Sequence, residues 1–386
     1  MDDRDLTRAP LRLAVVIGTR PEVIKLMPVI VAARARPEAF DVSIIRTGQH
    51  REMVDTLMSE FGLQADFDLR VMRHDQDLAH VMSASVRGLS DLIAQAAPDW
   101  VLVQGDTATT FAGALAAFYH RVRVGHVEAG LRTGKRDSPF PEEAYRSLTA
   151  RLADLHFAPT EQARRNLLRE GIAAEAIILT GNTVVDALLQ TLAGSPQPPV
   201  DAPPLPPERY VLVTAHRRES HGPALGRICD ALLRLLDQDR HLAAWLPMHP
   251  SPKVRQVLNA RLRNHPRIRL TEPLGYRAFV HAMAGAALVI SDSGGVQEEC
   301  AALGKPVLVM REHTERPEVL EAGVAVLVGT DADRIVEVST GLLQDRERYA
   351  RMAHRSDAFG RGSASEQILA ALAGFDGTRE VTSGNG

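Results

Sequence analysis

The chain has 386 residues, of which 45% are hydrophobic and 24% charged, enough for about two globular domains that each bury a core. Its formal net charge of -3 excludes the clustered positive charge that a nucleic-acid-binding protein needs. Only two cysteines are present, Cys229 and Cys300, and their spacing indicates neither a disulfide framework nor a structural zinc site. The chain begins with acidic residues where a signal peptide would be basic, and its first apolar run is too short for a membrane span. We therefore expect a cytoplasmic protein that binds neither nucleic acid nor membrane.

Short apolar segments alternate with helical patterns through the first half of the chain. Such segments are typical of strands covered on both faces, and helices between them imply right-handed crossovers and a parallel sheet. The predicted strands are LAVVIG (13–18), DVSIIRTG (41–48), DWVLVQGD (99–106), RVRVGHVEAG (121–130), DLHFAPT (154–160) and AIILTGN (176–182).

A proline-rich segment, GSPQPPVDAPPLPPE at 194–208, then predicts a stiff, extended linker. The alternation restarts after it with YVLVTAH (210–216), LAAWLPMH (242–249), RIRLTEP (267–273), AALVISDSGG (286–295) and PVLVMRE (306–312). We predict two α/β domains, the first at 1–193 and the second at 209–360. A helix at about 361–376 would rejoin the first domain, and residues 377–386 would form a flexible tail.

Polar residues follow six of the predicted strands. In open parallel sheets, ligands bind beyond the carboxyl ends of the strands. The six segments are GTRPEVIK, TGQHRE, GDTATT, HVEAGLRT, AHRRES and SDSGGVQEE. Their recurrence in both halves predicts a binding cleft between the domains.

The segment SDSGGVQEE is typical of a phosphate site. Ser293, Gly294 and Gly295 fall at a predicted helix N-terminus, where free N–H groups and the helix dipole favour an anion. Glu299 lies one turn further, within reach of a ribose diol. Arg316 precedes another helix start in RPEVLEAG. The alternatives are a helix cap without a ligand and a solvated arginine.

The segment GTRPEVIK is not a Walker phosphate loop, and no GxGxxG follows any predicted strand. The sequence therefore gives a nicotinamide enzyme no support. Arg20 and Lys25, five residues apart at a helix start, can still both face an anion. Lysine is rare here, with four of the 45 basic residues, so a ligand contact is favoured for Lys25 over a surface ion pair.

Carboxylates concentrate in the first half, at Asp106, at Glu128 and at the pair Glu142 and Glu143. Each alone could be neutralised by an arginine or by helix N–H groups. Together, facing a phosphate-binding domain, they indicate proton-transfer groups with raised or split pKa values. His216 adds a group that could serve the phosphate or proton transfer, with a structural core histidine as the alternative.

With these motifs, the chain resembles the non-hydrolysing UDP-N-acetylglucosamine 2-epimerases. The resemblance covers about residues 12–365 and rests on segments in the family's order and spacing. They are GTRPEVIK, TGQHREM, QGDTATTFAGALAAFY, HVEAGLRT, SPFPEEAYRSLTARLADLHFAPT, GNTVVDAL, TAHRRES, DSGGVQEE and RPE. The resemblance implies a glycosyltransferase-B-like fold of two Rossmann-like domains with the active site in the cleft between them.

The resemblance also implies a mechanism. UDP leaves C1 by anti elimination to give 2-acetamidoglucal, and re-addition after protonation on the other face gives UDP-N-acetylmannosamine. The implied substrate is a UDP-sugar, the implied assembly is a homodimer, and neither a cofactor nor a metal is required.

Site residues carry over from the family by motif. The catalytic set is Asp106, Glu128, Glu142 and His216, and the sequence leaves open which group removes the C2 proton. The substrate contacts are Arg20, Lys25, Arg146, Phe279, Ser293, Gly294, Gly295, Glu299 and Arg316. Gln49 and His50 resemble part of a second-site surface through which substrate activates some bacterial members.

The chain departs from the family in a few positions. Tyr145 stands where asparagine is common, which bears on the sugar end of the pocket, and Gln104 stands where histidine is common. Asp75 lies near where the substrate-activated members have a basic residue. The alternatives are a hydrolysing epimerase that releases N-acetylmannosamine and UDP, a glycosyltransferase or related nucleotide-sugar enzyme with an altered sugar, and a nucleotide-sugar-binding protein without catalysis.

Overall fold

The computed structural model describes residues 9–48, 51–71, 77–195, 197–200, 202–206, 209–215 and 222–375, with the backbone alone for 51–53. The predicted tail at 377–386 and Asp75 lie outside the described residues. Among the described residues, no helix is long and apolar enough to cross a membrane.

The first half of the chain forms a parallel sheet of seven strands, in the order β3-β2-β1-β4-β5-β6-β7. Its strands are β1 (Leu11–Ile17), β2 (Phe40–Arg46), β3 (Phe67–Asp68), β4 (Trp100–Gln104), β5 (Arg123–Val127), β6 (Leu155–Ala158) and β7 (Ile177–Leu179). The helices are α1 (Arg20–Arg34), α2 (Arg51–Glu60), α3 (Leu78–Ala96), α4 (Ala108–Tyr119), α5 (Glu142–Leu152), α6 (Glu161–Arg169) and α7 (Thr183–Gly194).

The second half forms a parallel sheet of six strands, in the order β10-β9-β8-β11-β12-β13. Its strands are β8 (Arg209–Thr214), β9 (Leu242–Pro247), β10 (Ile268–Thr271), β11 (Leu288–Ser291), β12 (Val307–Val309) and β13 (Ala325–Leu327). The helices are α8 (Pro223–Gln238), α9 (Pro252–Leu262), α10 (Tyr276–Gly285), α11 (Gly294–Leu303), α12 (Pro317–Glu321), α13 (Ala332–Gln344), α14 (Arg346–Met352) and α15 (Ala364–Ala373).

The predicted α/β class with two parallel sheets is confirmed. The apolar runs become central strands because both faces are covered: all five residues of β4 are buried, as are the last five of β1. Two edge strands, β3 and β13, were not predicted, since they have only two and three residues. The domain limits at 193 and 209 stay a prediction.

Both sheets reverse their strand order at one point, between β1 and β4 in the first and between β8 and β11 in the second. Loops that leave the carboxyl ends of these strands flank a crevice in each sheet, which is where ligands bind in open α/β folds. The loops after β4, β5 and β11 carry the predicted site residues Asp106, Glu128 and Ser293.

The two halves meet where the chain passes from β7 into α7 and where it returns before α15. Helix α7 packs against α10 and α11 of the second half, and α15 packs against α1 and α7. Gly181 and Gly360 touch backbone to backbone, and a Cβ built on Gly181 would lie 2.8 Å from the Cα of Gly360. Both have positive φ, 83° and 94°, so glycine is required twice at this crossing.

Candidate active site

Glu128 lies directly after β5, in a left-handed backbone conformation with φ of 60°. This conformation is uncommon for a residue with a Cβ and recurs at functional sites. Its carboxylate is buried, 7% exposed, and accepts hydrogen bonds from Lys25 Nζ at 2.5 Å and Gln104 Nε2 at 2.5 Å. The side chains that end β4 and line α1 therefore converge on one carboxylate.

Two further groups approach Glu128 from the boundary between the halves. Asn182 Nδ2 donates to it at 2.9 Å, and Arg316 Nη2 of the second half lies 3.6 Å from its Oε1. Arg316 Nε in turn donates to Glu298 at 2.7 Å, and Asn182 Nδ2 donates to Glu298 at 2.9 Å. Glu128, Asn182, Glu298 and Arg316 thus close a buried ring across the two halves.

Of the expected raised or split pKa values, a raised pKa is wrong for Glu128. Burial acts to raise its pKa, but the positive charges of Lys25 and Arg316 outweigh burial and lower the pKa below the ordinary glutamate value. A raised pKa belongs instead to Glu298 and Glu299 on α11, because burial dominates there, and for Glu299 it reaches about 7. Tyr276 donates to Glu299 Oε1 at 2.9 Å.

Asp106 follows β4 and pairs with Arg146 of α5, which is 4% exposed. Arg146 Nη1 also lies 3.2 Å from Glu143, whose carboxylate accepts from the backbone N–H groups of Thr133 and Gly134. Glu143 therefore holds the loop after β5 to α5.

Glu142, the first residue of α5, is half-buried and has no hydrogen-bond or ion-pair partner among the described residues. Of the three predicted catalytic carboxylates, Glu128 and Asp106 come from the ends of neighbouring strands, and Glu142 shares a helix with the arginine that holds Asp106.

The predicted phosphate site lies at the start of α11. Ser293 is its N-cap residue but forms no side-chain cap hydrogen bond. The Arg316 guanidinium lies over Gly294, with its Cζ 3.0 Å from a Cβ built there, and a Cβ on Gly295 would meet no atom within 4 Å. A helix N-terminus with an arginine beside it and open space at Gly295 suits an anion.

The remaining predicted residues lie on α1, on α10 or outside the described residues. Arg20 is the first residue of α1 and is exposed, whereas Lys25 on the same helix is buried. Lys25 pairs with the buried carboxylate of Glu128, so it does not form a surface ion pair. Phe279 on α10 is half-buried against the main core. Gln49, His50 and His216 lie outside the described residues.

Sequence reasoning missed Asn182, Glu298 and Glu22. Glu22 is buried and accepts from Gly18 N at 2.7 Å, Thr19 N at 2.6 Å and Thr107 Oγ1 at 2.5 Å, so it fastens the loop after β1 to the start of α4. Glu22 lies in the motif GTRPEVIK, Asn182 in GNTVVDAL and Glu298 in DSGGVQEE. Their place in these motifs was the signal that could have identified them.

A cavity of about 820 Å³ opens between the loop after β5 and the loop before α12. Arg132, Lys135, Arg311 and His313 are among its lining residues. None of the predicted site residues lines it. In the part of the chain that the structure describes, no group of three histidine, cysteine or acidic side chains could hold a metal ion.

Comparison with known proteins gives a consistent result. The chain matches the family described as UDP-N-acetylglucosamine 2-epimerase over residues 32–373. It is 45% identical over 374 residues to the UDP-N-acetylglucosamine 2-epimerase of Escherichia coli strain K12, covering 94% of this chain and 98% of that one.

Solved structures agree. The UDP-GlcNAc 2-epimerase from Neisseria meningitidis bound to UDP-GlcNAc is 40% identical, with a TM-score of 0.85 over 94% of this chain and 99% of that one. The glycotransferase of kitacinnamycin shares the fold alone, at 13% identity and a TM-score of 0.61 over 95% of this chain and 100% of that one. The expected glycosyltransferase-B-like fold is thereby confirmed, and the chain belongs to the UDP-N-acetylglucosamine 2-epimerase family.

Proposed function

We propose that this chain catalyses the reversible C2 epimerisation of UDP-N-acetylglucosamine to UDP-N-acetylmannosamine, without release of free sugar. One observation carries the proposal. Glu128, a buried carboxylate, contacts Lys25 at 2.5 Å and lies 3.6 Å from Arg316, which covers the start of α11. The residues proposed as proton acceptor and as phosphate contact are thus adjacent, which supports reaction at the neighbouring C1 and C2 atoms of a UDP-sugar.

The chemistry explains why both are needed together. The C2–H bond of a glycoside has no neighbouring carbonyl and is not acidic. When the C1–O bond breaks and UDP departs with the electron pair, positive charge at C1 acidifies C2–H. A base takes that proton, a C1–C2 double bond forms, and the products are 2-acetamidoglucal and UDP. Re-addition of UDP at C1 with a proton at C2 from the opposite face gives the epimer.

We assign the nucleotide to the second half of the cleft. The N–H groups at Ser293, Gly294 and Gly295 and the guanidinium of Arg316 would bind the diphosphate, and Glu299 would bind the ribose. The other substrate contacts would be Arg20, Lys25, Arg146 and Phe279, and His216 would serve the phosphate or proton transfer. Because the diphosphate is the leaving group, stabilising its charge lowers the barrier to C1–O cleavage.

Inversion at C2 requires that one group remove the proton and that a proton return on the other face. Asp106, Glu128 and Glu142 are the proposed set. The lowered pKa of Glu128, caused by Lys25 and Arg316 against the effect of burial, keeps it ionised near neutral pH and supports it as the acceptor. Asp106 is held by Arg146, whereas Glu142 has no such constraint among the described residues.

We further propose a homodimer, as the family resemblance implies. Helices α4 and α5 carry a set of exposed apolar side chains, and Phe118, Tyr119 and Leu148 are 49%, 61% and 49% exposed. Phe111 and Tyr145 stack between the same helices, with ring centroids 5.7 Å apart. This exposed apolar face of α4 and α5 supports self-association.

The test is proton NMR of UDP-N-acetylglucosamine incubated with the protein in deuterated water, with no added nicotinamide or metal. We expect UDP-N-acetylmannosamine with deuterium at C2. Free N-acetylmannosamine plus UDP would indicate the hydrolysing reaction, and UDP binding without exchange or product would contradict the proposed function and direct attention to Tyr145 and another sugar.

A further inference from the structure

The side-chain amide of Asn182 joins the two halves of the molecule at one point. Its Nδ2 donates to Glu128 Oε1 at 2.9 Å and to Glu298 Oε2 at 2.9 Å, and the residue is 1% exposed. Glu128 belongs to the first half and Glu298 to the second. Both hydrogens of one amide are therefore used by carboxylates from opposite sides of the cleft.

Asn182 itself is fixed to the first half. Its Oδ1 accepts from Val184 N at 3.1 Å and caps α7, and its backbone N–H donates to Phe359 O at 2.7 Å. Phe359 belongs to the segment through which the chain returns from the second half, next to the contact between Gly181 and Gly360. Because the amide oxygen is committed to the cap, the orientation of the two N–H groups is set.

Glu298 is the partner from the second half. It is fully buried on α11 and accepts from Arg316 Nε at 2.7 Å, so it is bound to the arginine that lies over the start of α11. The two buried carboxylates, Glu128 and Glu298, are balanced by two cations, Lys25 and Arg316. A buried group of this kind is stable only with its full set of partners, which makes its geometry sensitive to how closely the halves approach.

We propose that Asn182 is a positioning residue that couples closure of the cleft to the orientation of the Glu128 carboxylate. When the second half closes, Glu298 reaches Asn182 and Arg316 reaches Glu128, and the shared amide holds Glu128 in its reactive orientation. Proton transfer then proceeds only with the nucleotide domain in place, so the glycal forms in a closed site. This inference rests on the proposed function and deepens it.

The charged groups that face Glu128 define what a substitution of Asn182 should do. They are Lys25 from α1, Arg316 from the loop before α12, Glu298 from α11 and His126 from β5. Loss of a donor hydrogen bond destabilises the ionised carboxylate and raises the pKa of Glu128. A new negative charge at position 182 raises that pKa further, because it lies beside both Glu128 and Glu298.

Two variants separate positioning from folding. Asn182→Ser keeps an oxygen that can cap α7 but removes both amide N–H donors, and its shorter side chain carries a single hydroxyl in their place. Asn182→Asp keeps the shape and the cap and adds a charge. The matched control is Asn166→Ser, since Asn166 Nδ2 also donates to an oxygen of the first half, Gly130 O at 2.9 Å, away from the carboxylate ring.

For Asn182→Ser we expect kcat to fall about tenfold or more, with the UDP dissociation constant changed by less than about threefold. The acidic limb of the pH profile should move to higher pH, and further in Asn182→Asp. Asn166→Ser should retain wild-type kcat within about twofold. A readout independent of turnover is the carboxyl carbon-13 titration of Glu128 in glutamate-labelled protein, assigned with Glu128→Gln, whose midpoint should move in the same direction and order.

Wild-type kcat and an unmoved Glu128 titration in both Asn182 variants would overturn the inference. So would a fall in kcat that is matched by an equal loss of UDP affinity with the titration unmoved, because that pattern indicates general damage to the fold. If the wild-type protein does not epimerise UDP-N-acetylglucosamine, the proposed function fails, and the titration alone then decides whether Asn182 positions Glu128.

Discussion

The Oε1 atom of Glu128 lies 3.6 Å from Nη2 of Arg316, although the first follows β5 and the second precedes α12 in the other half of the chain. Lys25 contacts the same oxygen at 2.5 Å, and Glu298 holds the Nε of Arg316 at 2.7 Å. The proposed proton acceptor and the proposed phosphate contact therefore share one buried charge network. The proposed binding of a nucleotide at Arg316 would therefore change the electrostatic environment of Glu128.

Glu128→Gln removes the proposed proton acceptor and keeps the shape of its side chain. We expect kcat to fall about 10²- to 10⁴-fold, the range of general acid–base contributions. UDP affinity should be retained or increased, since Arg316 loses a competing carboxylate. The measurement is the rate of C2–H exchange in deuterated water together with calorimetric UDP binding. Glu170→Gln is the control, because Glu170 is also ion-paired, to Arg132 at 2.7 Å, but lies outside the ring. Wild-type exchange in Glu128→Gln would exclude it as the acceptor.

Lys25→Met tests the electrostatic support of Glu128. Burial alone would raise the pKa of Glu128, and Lys25 is the first of the charges that reverse this. Without Lys25 the pKa of Glu128 must rise, so the acidic limb of kcat/KM should move to higher pH and activity should fall more at about pH 6 than at about pH 8. Lys305→Met is the control, since Lys305 donates to Ala286 O in the second half. An equal loss at every pH would show that Lys25 acts on binding alone.

The long strands of the fold were predictable because each is a buried apolar run between helical patterns. The two short edge strands were not, since two or three residues carry no periodicity that separates them from loops. Hydrogen bonding to a neighbouring strand defines β3 and β13, and that neighbour is known only once the sheet is assembled.

The carboxylates of the candidate site were predictable from their place at strand ends. The residues that bind these carboxylates were not predictable. Asn182 and Glu298 are 116 residues apart and meet only where the two halves come together, and Lys25 and Glu128 are 103 apart and meet only once the first sheet is assembled. The lowered pKa of Glu128 could not be predicted for the same reason. The sequence contains the carboxylates, but only the fold places Lys25 and Arg316 against Glu128.

Two buried histidines should make stability depend on pH. His126 on β5 and His156 on β6 are paired in register. Burial lowers the pKa of His126 to about 4, and burial together with the charge of His126 lowers the pKa of His156 to about 3. The unfolded chain titrates near pH 6.5, so it binds protons that the folded chain does not as the pH falls below that value. Their stabilising contribution is therefore complete above about pH 6.5 and is lost as the pH falls towards about 4.

The measurement is urea unfolding between about pH 4.5 and 7. Removing one titrating histidine with His156→Gln should reduce the slope of unfolding free energy against pH by up to about 1.4 kcal/mol per unit. The control is His241→Gln at an exposed position, which should keep the wild-type slope. A slope unchanged by His156→Gln would contradict the role of this pair.

The apolar face on α4 and α5 should govern self-association. Phe118→Asp places a charge on this face, and we expect the proposed homodimer to dissociate into monomers at micromolar concentration, because burying an unpaired charge at an interface is strongly unfavourable. Light scattering after size exclusion gives the mass. Leu179→Asp is the matched control, since Leu179 is 46% exposed at the end of β7. A dimer that survives Phe118→Asp would place the interface elsewhere.

Asp186 should fasten the last helix to the first half of the molecule. Its buried carboxylate accepts from Ser365 N at 2.8 Å, Ser365 Oγ at 2.6 Å and Ala364 N at 3.2 Å, and so it serves as the N-terminal cap of α15 from another helix. Asp186→Ala leaves these donors unpaired, and we expect the unfolding free energy to fall by about 2–4 kcal/mol, with faster proteolysis near residue 364. Asp331→Ala, which removes an exposed cap of α13 at Arg334 N, should cost only about 1 kcal/mol. Equal losses in the two variants would mean that Asp186 acts as an ordinary helix cap, and that the packing of α15 against α1 and α7 depends on its apolar face instead.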